Sequence, residues 1–180
     1  AWTKTRQHTG RSDIPLTEDG RHVSAALGRA LAGRRFALVL TSPLRRAYET
    51  CALAGYGDVA KRVDDLMEWD YGRDEGRTRA EIRKERPGWT IWKDGVVGGE
   101  TIEQVAERAR RVLALADQAD GDVAVFAHAH LLRILTACWL EMPPEAARHF
   151  DLSPASISVL ARSDDAPIVR KWNILVEDVA

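Results

Sequence analysis

Cysteine and lysine are scarce in this chain, and so is any surplus of charge. Only Cys51 and Cys138 are present among 180 residues, too few for a disulfide framework or a thiolate metal centre; this usage fits a reducing compartment such as the cytoplasm. Lysine plus arginine numbers 26 and aspartate plus glutamate 27, a net charge of −1. No basic excess therefore points to nucleic acid or to an anionic membrane surface. No apolar run approaches the ~20 residues needed to cross a bilayer. Internal repeats, low-complexity stretches, a Walker loop and a dinucleotide fingerprint are all absent. Lys4, Lys61, Lys84, Lys93 and Lys171 are the only lysines; the other cations are arginines, whose planar fork suits phosphate and carboxylate. Hydrophobic residues at 45% and charged residues at 29% describe an ordinary globular chain, and the length predicts one domain over 1–180.

What is present is an alternation of strand and helix signals. Thr17 caps a predicted helix over 18–32, with Val23, Ala26, Leu27, Ala30 and Leu31 on one face. The apolar run 36–41 reads as a strand covered on both faces. Ser42 and Pro43 follow as N-cap and first helical residue of the next helix. A short strand is predicted over 59–63, then an irregular acidic and aromatic loop over 64–77. Thr78 with Glu81, and Thr101 with Gln104, form two capping boxes. A second buried strand is predicted over 122–127, a helix over 131–140, a short helix near 145–150, and strands over 156–161 and 168–173. This order predicts an α/β fold: a three-layer, doubly wound, mostly parallel sheet with helices on both faces.

In such sheets ligands sit at the carboxyl ends of strands, beside the helix N-termini that follow. Two of these junctions are polar: Thr41-Ser42-Pro43-Leu44-Arg45-Arg46 and Ala127-His128-Ala129-His130. His128 and His130 could be structural, could neighbour a phosphate, or could bind a metal; His8, His22 and His149 lack supporting spacing. Arg45 and Arg46 oppose the helix dipole, a conflict that a bound anion would relieve and that solvent could also relieve. Glu68, among Trp69, Asp70 and Tyr71, is either an exposed loop carboxylate or a general acid whose proton affinity is raised by burial and a nearby phosphate. Glu100 reads as a cap or bridge near its own helix.

Together these stretches resemble the histidine phosphatase superfamily, in its phosphoglycerate-mutase-like branch. RQHTGRSDIPLTEDG at 6–20, TSPLRRAYET at 41–50, LMEWDYGRDEG at 66–76, GGETIEQVAERA at 98–109 and FAHAHLLR at 126–133 fall in that family's order. The short form is most similar to its broad-specificity acid phosphatases. The resemblance implies phosphoryl transfer through a phosphohistidine, with no metal and no cofactor. Arg46 then matches a phosphate-clamping arginine, Glu68 the proton donor and His128 the second histidine. Thr9 and Gly10 match the loop closing on phosphate, Thr3 a polar residue near it, and Tyr71, Ala129 and His130 the substrate side. The implied partner is a small phosphorylated substrate, with no nucleic acid or membrane; a homodimer is compatible with the sequence.

Two departures stand out. Ala129 replaces the family's usual glycine after the second histidine. The Arg-His-Gly motif that carries the nucleophile does not occur; its register places it just before Ala1, on a central strand, so a truncated N-terminus is expected. Phosphoglycerate mutase is the neighbouring alternative, with Arg83, Lys84 and Arg86 as a second anion site, although 93–97 leaves little length for a lid. A non-catalytic phosphate-binding module, or a metal-dependent hydrolase using His128 and His130, are the other readings.

Overall fold

In the computed structural model, which describes residues 5, 7–164 and 166–176, Thr17 opens the first helix as its pattern predicts. The Thr17 hydroxyl accepts the Gly20 N–H, and Glu18 and Asp19 complement the dipole of α1 (Glu18–Ala30). Next come β1 (Leu38–Thr41), α2 (Arg45–Leu53), β2 (Ala60–Arg62), α3 (Arg79–Glu85), the single turn α4 (Ile91–Asp94) and α5 (Ile102–Ala116). The chain finishes with β3 (Val123–Phe126), α6 (Ala129–Trp139), a 3-10 segment (Pro144–His149), β4 (Ile157–Ser163) and β5 (Ala166–Ile174). Both predicted capping boxes form, at the starts of α3 and α5.

β1 lies between β2 and β3, parallel to both, with Val39 opposite Ala60 and Ala124 and Thr41 opposite Arg62 and Phe126. Successive side chains of a strand leave opposite faces, and β1 uses this to build two cores. Val39 packs with Leu27, Cys51, Ala54 and Phe126 on the α1–α2 side. Leu40 packs with Val105, Ala109, Leu131 and Ile134 on the α5–α6 side. The result is the three-layer α/β arrangement.

Three details differ from the sequence reading. Helix α2 begins at Arg45, with Leu44 at its N-cap and no side-chain cap. Ser42 is instead drawn to His128, whose Nε2 lies 2.8 Å from its Oγ, so the helix starts two residues later. Helix α6 begins earlier than predicted, with His128 itself at the N-cap position. β4 and β5 pair antiparallel with each other, Ile157 opposite Ile174, and among the described residues neither joins the parallel sheet. A cavity of about 1660 Å³ is lined by residues of β3 and β4 and reaches the carboxyl end of β3 and Arg46 in the first turn of α2.

Candidate active site

At its polar end the cavity is lined by Thr9, Arg46, Glu68, Tyr71, His128, Ala129 and His130. Gly10 lies buried just behind it, and Thr3 lies outside the described residues. Four separate stretches of chain thus bring the expected residues onto one surface.

Arg46, in the first turn of α2, donates from Nη1 to the Ser12 carbonyl (2.8 Å) and from Nη2 to those of Thr9 (3.1 Å) and Gly10 (2.8 Å). The amides of the same loop turn the other way. Gly10 N–H donates to both oxygens of Glu75 (2.9 and 3.0 Å), and Ser12 N–H to Oε1 (3.1 Å). A guanidinium on the carbonyls and a carboxylate on the amides thereby fix a segment without regular structure. Glycine is required at position 10, because a Cβ there would collide with the Trp69 carbonyl and the Glu75 carboxylate. Arg45 N–H, at the exposed start of α2, donates to Asp13 Oδ1 at 2.7 Å.

Glu68 is 4% exposed. Its Oε1 accepts the N–H groups of Trp69 and Leu131 (3.0 Å each), and its Oε2 that of His130 (3.1 Å). Glu68 therefore sits on the open amides of α6, where the helix dipole favours an anion. Burial opposes ionisation, but it is outweighed by the His130 imidazole, with Nδ1 3.8 Å from Oε2, and by the amide donors. The carboxyl is held well below the usual carboxylate range.

His128 is 7% exposed and bridges the two junctions through Ser42. Burial, with Arg46, Arg108 and Arg11 nearby and against the pull of Glu68, lowers its pKa to about 3, so it is neutral at ordinary pH. His130 faces the aromatic wall. Its Nδ1 lies 2.7 Å from the Tyr71 hydroxyl, and its ring lies 5.1 Å from Trp92 and edge-on to Trp69 and Tyr71. Burial, together with Glu68 and Glu75, pushes the Tyr71 phenol well above its ordinary range and keeps it protonated.

His8 was not picked out by spacing, yet it lines the cavity. It stacks 6.4 Å from His130, meets Tyr71 edge-on, and places Nδ1 2.8 Å from the Arg77 carbonyl. Its adjacency to Thr9-Gly10 was the one available signal. Of the cations considered for a second anion site, Arg86 pairs with Asp74 and Arg83 donates to the Trp89 carbonyl; both serve the local structure. Among the described residues no group of three or more His, Cys, Asp or Glu is arranged to hold a metal ion, and no helix is long and apolar enough to cross a membrane.

Residues 1–175 match the family model for the histidine phosphatase superfamily (branch 1). The chain belongs to the histidine phosphatase superfamily. This histidine phosphatase is 34% identical over 163 residues to an acid phosphatase of Mycobacterium tuberculosis, covering 88% of the chain and 80% of that protein. It is 36% identical over 171 residues to a sedoheptulose 1,7-bisphosphatase of Saccharomyces cerevisiae, spanning 77% of the chain but 63% of that protein. The solved structure of an open reading frame product of Mycobacterium tuberculosis superposes with a TM-score of 0.92 at 30% identity, covering 98% of this chain and 93% of that one. Its enzymatic class is that of a phosphatase, acting on phosphate monoesters.

Proposed function

We propose that this phosphatase hydrolyses small phosphate monoesters through a phosphohistidine, without a metal ion. The observation that carries the reading is the meeting of Arg46, His128 and Glu68, from two strand-to-helix junctions and a distant loop, on one cavity. Arg46 and His128 hold the phosphoryl oxygens as charge develops on them. Glu68 gives its proton to the leaving oxygen. In the free site that carboxyl is ionised; a phosphate dianion arriving beside it raises its proton affinity, so substrate binding is the event that loads the acid. Water then cleaves the phosphoenzyme. Only residues 95–97 separate α4 from the turn at 98–100, too short a stretch to build a lid there, and open access for water favours hydrolysis over transfer back to a sugar or acid. Tyr71, His130 and His8 form the substrate wall.

The assay uses the natural protein at full length. Turnover of 4-nitrophenyl phosphate should persist in excess EDTA and be inhibited by vanadate. Arg46→Ala should weaken that inhibition by roughly 10–100-fold, the value of a lost charge-assisted hydrogen bond. An unchanged inhibition constant removes Arg46 from the clamp, and loss of turnover in EDTA removes metal independence.

A further inference from the structure

Glu68 owes its place to a loop, 65–70, with little regular structure, and that loop is fastened by two residues that never touch the cavity. Arg108, on α5, is 7% exposed. Its guanidinium grips Glu100 with two bonds, Nε to Oε1 and Nη2 to Oε2, both 2.8 Å. The remaining Nη1 donates to the carbonyls of Asp65 (2.7 Å) and Met67 (2.8 Å). Glu100 holds the other side of the loop. Its Oε2 accepts the Asp70 N–H (2.9 Å), its own N–H donates to the Asp70 carbonyl (3.0 Å), and its carbonyl accepts Trp69 Nε1–H (2.8 Å). Residues 65, 67, 69 and 70 are thereby tied while Glu68 between them is left to α6. Gly99 permits the approach, since a Cβ there would collide with the Asp70 carbonyl.

The same carboxylate reaches the phosphate side. Arg11 donates from Nη2 to Glu100 Oε2 (3.1 Å), and Arg11 belongs to the segment whose carbonyls hold Arg46. A deeply placed ion pair is a poor source of stability, because desolvation offsets its attraction. A two-point guanidinium–carboxylate pair does fix geometry.

We infer that Glu100 and Arg108 are positioning residues for the proton-donating step: they set the loop so that the Glu68 carboxyl meets the leaving oxygen. The inference rests on the reading of Glu68 as the proton donor.

The test is a double-mutant cycle in the full-length protein, comparing Glu68→Gln, Glu100→Gln and both together, with Arg108→Lys as a second probe that keeps the charge and loses the fork. The readouts are kcat and KM for an alkyl phosphate and for 4-nitrophenyl phosphate, with Tm as a folding control. Glu100→Gln should lower kcat on the alkyl ester by about 10-fold, a fraction of the 10²–10⁴ that general acids supply. It should spare the aryl ester, whose leaving group needs no proton, and leave KM nearly unchanged. With Glu68 already replaced, the further loss should shrink to about twofold or less, because residues acting through one another are not additive. Arg108→Lys should show the same alkyl-to-aryl pattern. Equal losses on both esters, a full loss persisting in the Glu68→Gln background, or failure of both probes to fold would overturn the inference. An unchanged alkyl-to-aryl ratio in Glu68→Gln alone would instead remove the acid assignment beneath it.

Discussion

Helices α1, α3 and α5 finish their own N-termini, whereas α2 and α6 leave theirs to distant residues. Thr17 caps α1, and the pairs Thr78–Glu81 and Thr101–Gln104 cap α3 and α5 within three residues of sequence. Neither α2 nor α6 has a side-chain cap of its own. Asp13 supplies the carboxylate for α2 from 32 positions away, and Glu68 supplies that for α6 from 62 and 63 positions away. Open amides and a positive dipole end are what an anion seeks. The helices that leave these groups to tertiary partners are the ones that carry Arg46 and His128. Self-contained helices build the frame, and dependent ones build the proposed site.

The largest test of that division is His128→Ala in the full-length protein. If the α6 start serves the transition state, kcat should fall by about 10²–10³, the loss expected for one stabilising group. Turnover at the wild-type rate would mean that His128 is no more than the link to Ser42, and the two junctions would lose their functional distinction.

A smaller effect separates the same regions by pH. The lowered pKa of His128, from 6.5 to about 3, means that the unfolded chain binds a proton through this window while the native state does not. Stability therefore falls as pH drops below about 6.5, by about 2 kcal/mol at pH 5 from this residue. His8 is also lowered, by burial first, and acts in the same direction. Glu68, ionised in the fold, adds its own loss below about 4.5. Denaturant unfolding at pH 7, 6 and 5 should show this decline, and His128→Gln should flatten it. An equal slope in the variant would show that the buried imidazole takes up its proton without cost.

The same split explains what was legible in the sequence. Alternating apolar runs and helix periods gave the layers, and each self-capped helix was visible because its cap lies within three residues. The start of α2 was misplaced because Ser42, a good local cap, is engaged by His128 from 86 residues away. His8 was invisible for a similar reason: its partner Arg77 lies 69 residues on, brought near by the isolated bridge between Gln7 and Thr78. From the sequence, Glu100 reads as a cap or bridge near its own helix. That holds for Arg108, eight residues on, and misses Asp70 and Arg11, 30 and 89 residues away. Arg46, Glu68 and His128 were named through resemblance; local chemistry left each of them open. Periodicity and capping are local quantities, and this site is made of long-range ones.

The mildest change completes the contrast. Thr17→Ala removes one hydroxyl that accepts the Gly20 N–H, at a helix start where water can take its place. The cost should be about 1 kcal/mol, lowering Tm by roughly 2–4 °C in a domain of this size. Because α1 borrows nothing for its N-cap and lends no residue to the polar end of the cavity, kcat and KM should stay at wild-type values. A drop in kcat with so small a loss of stability would show that frame and site are mechanically coupled through the α1–α2 layer, where Ser24 Oγ lies 3.3 Å from Thr50 Oγ1, and the boundary between the two classes of helix would then have to be drawn elsewhere.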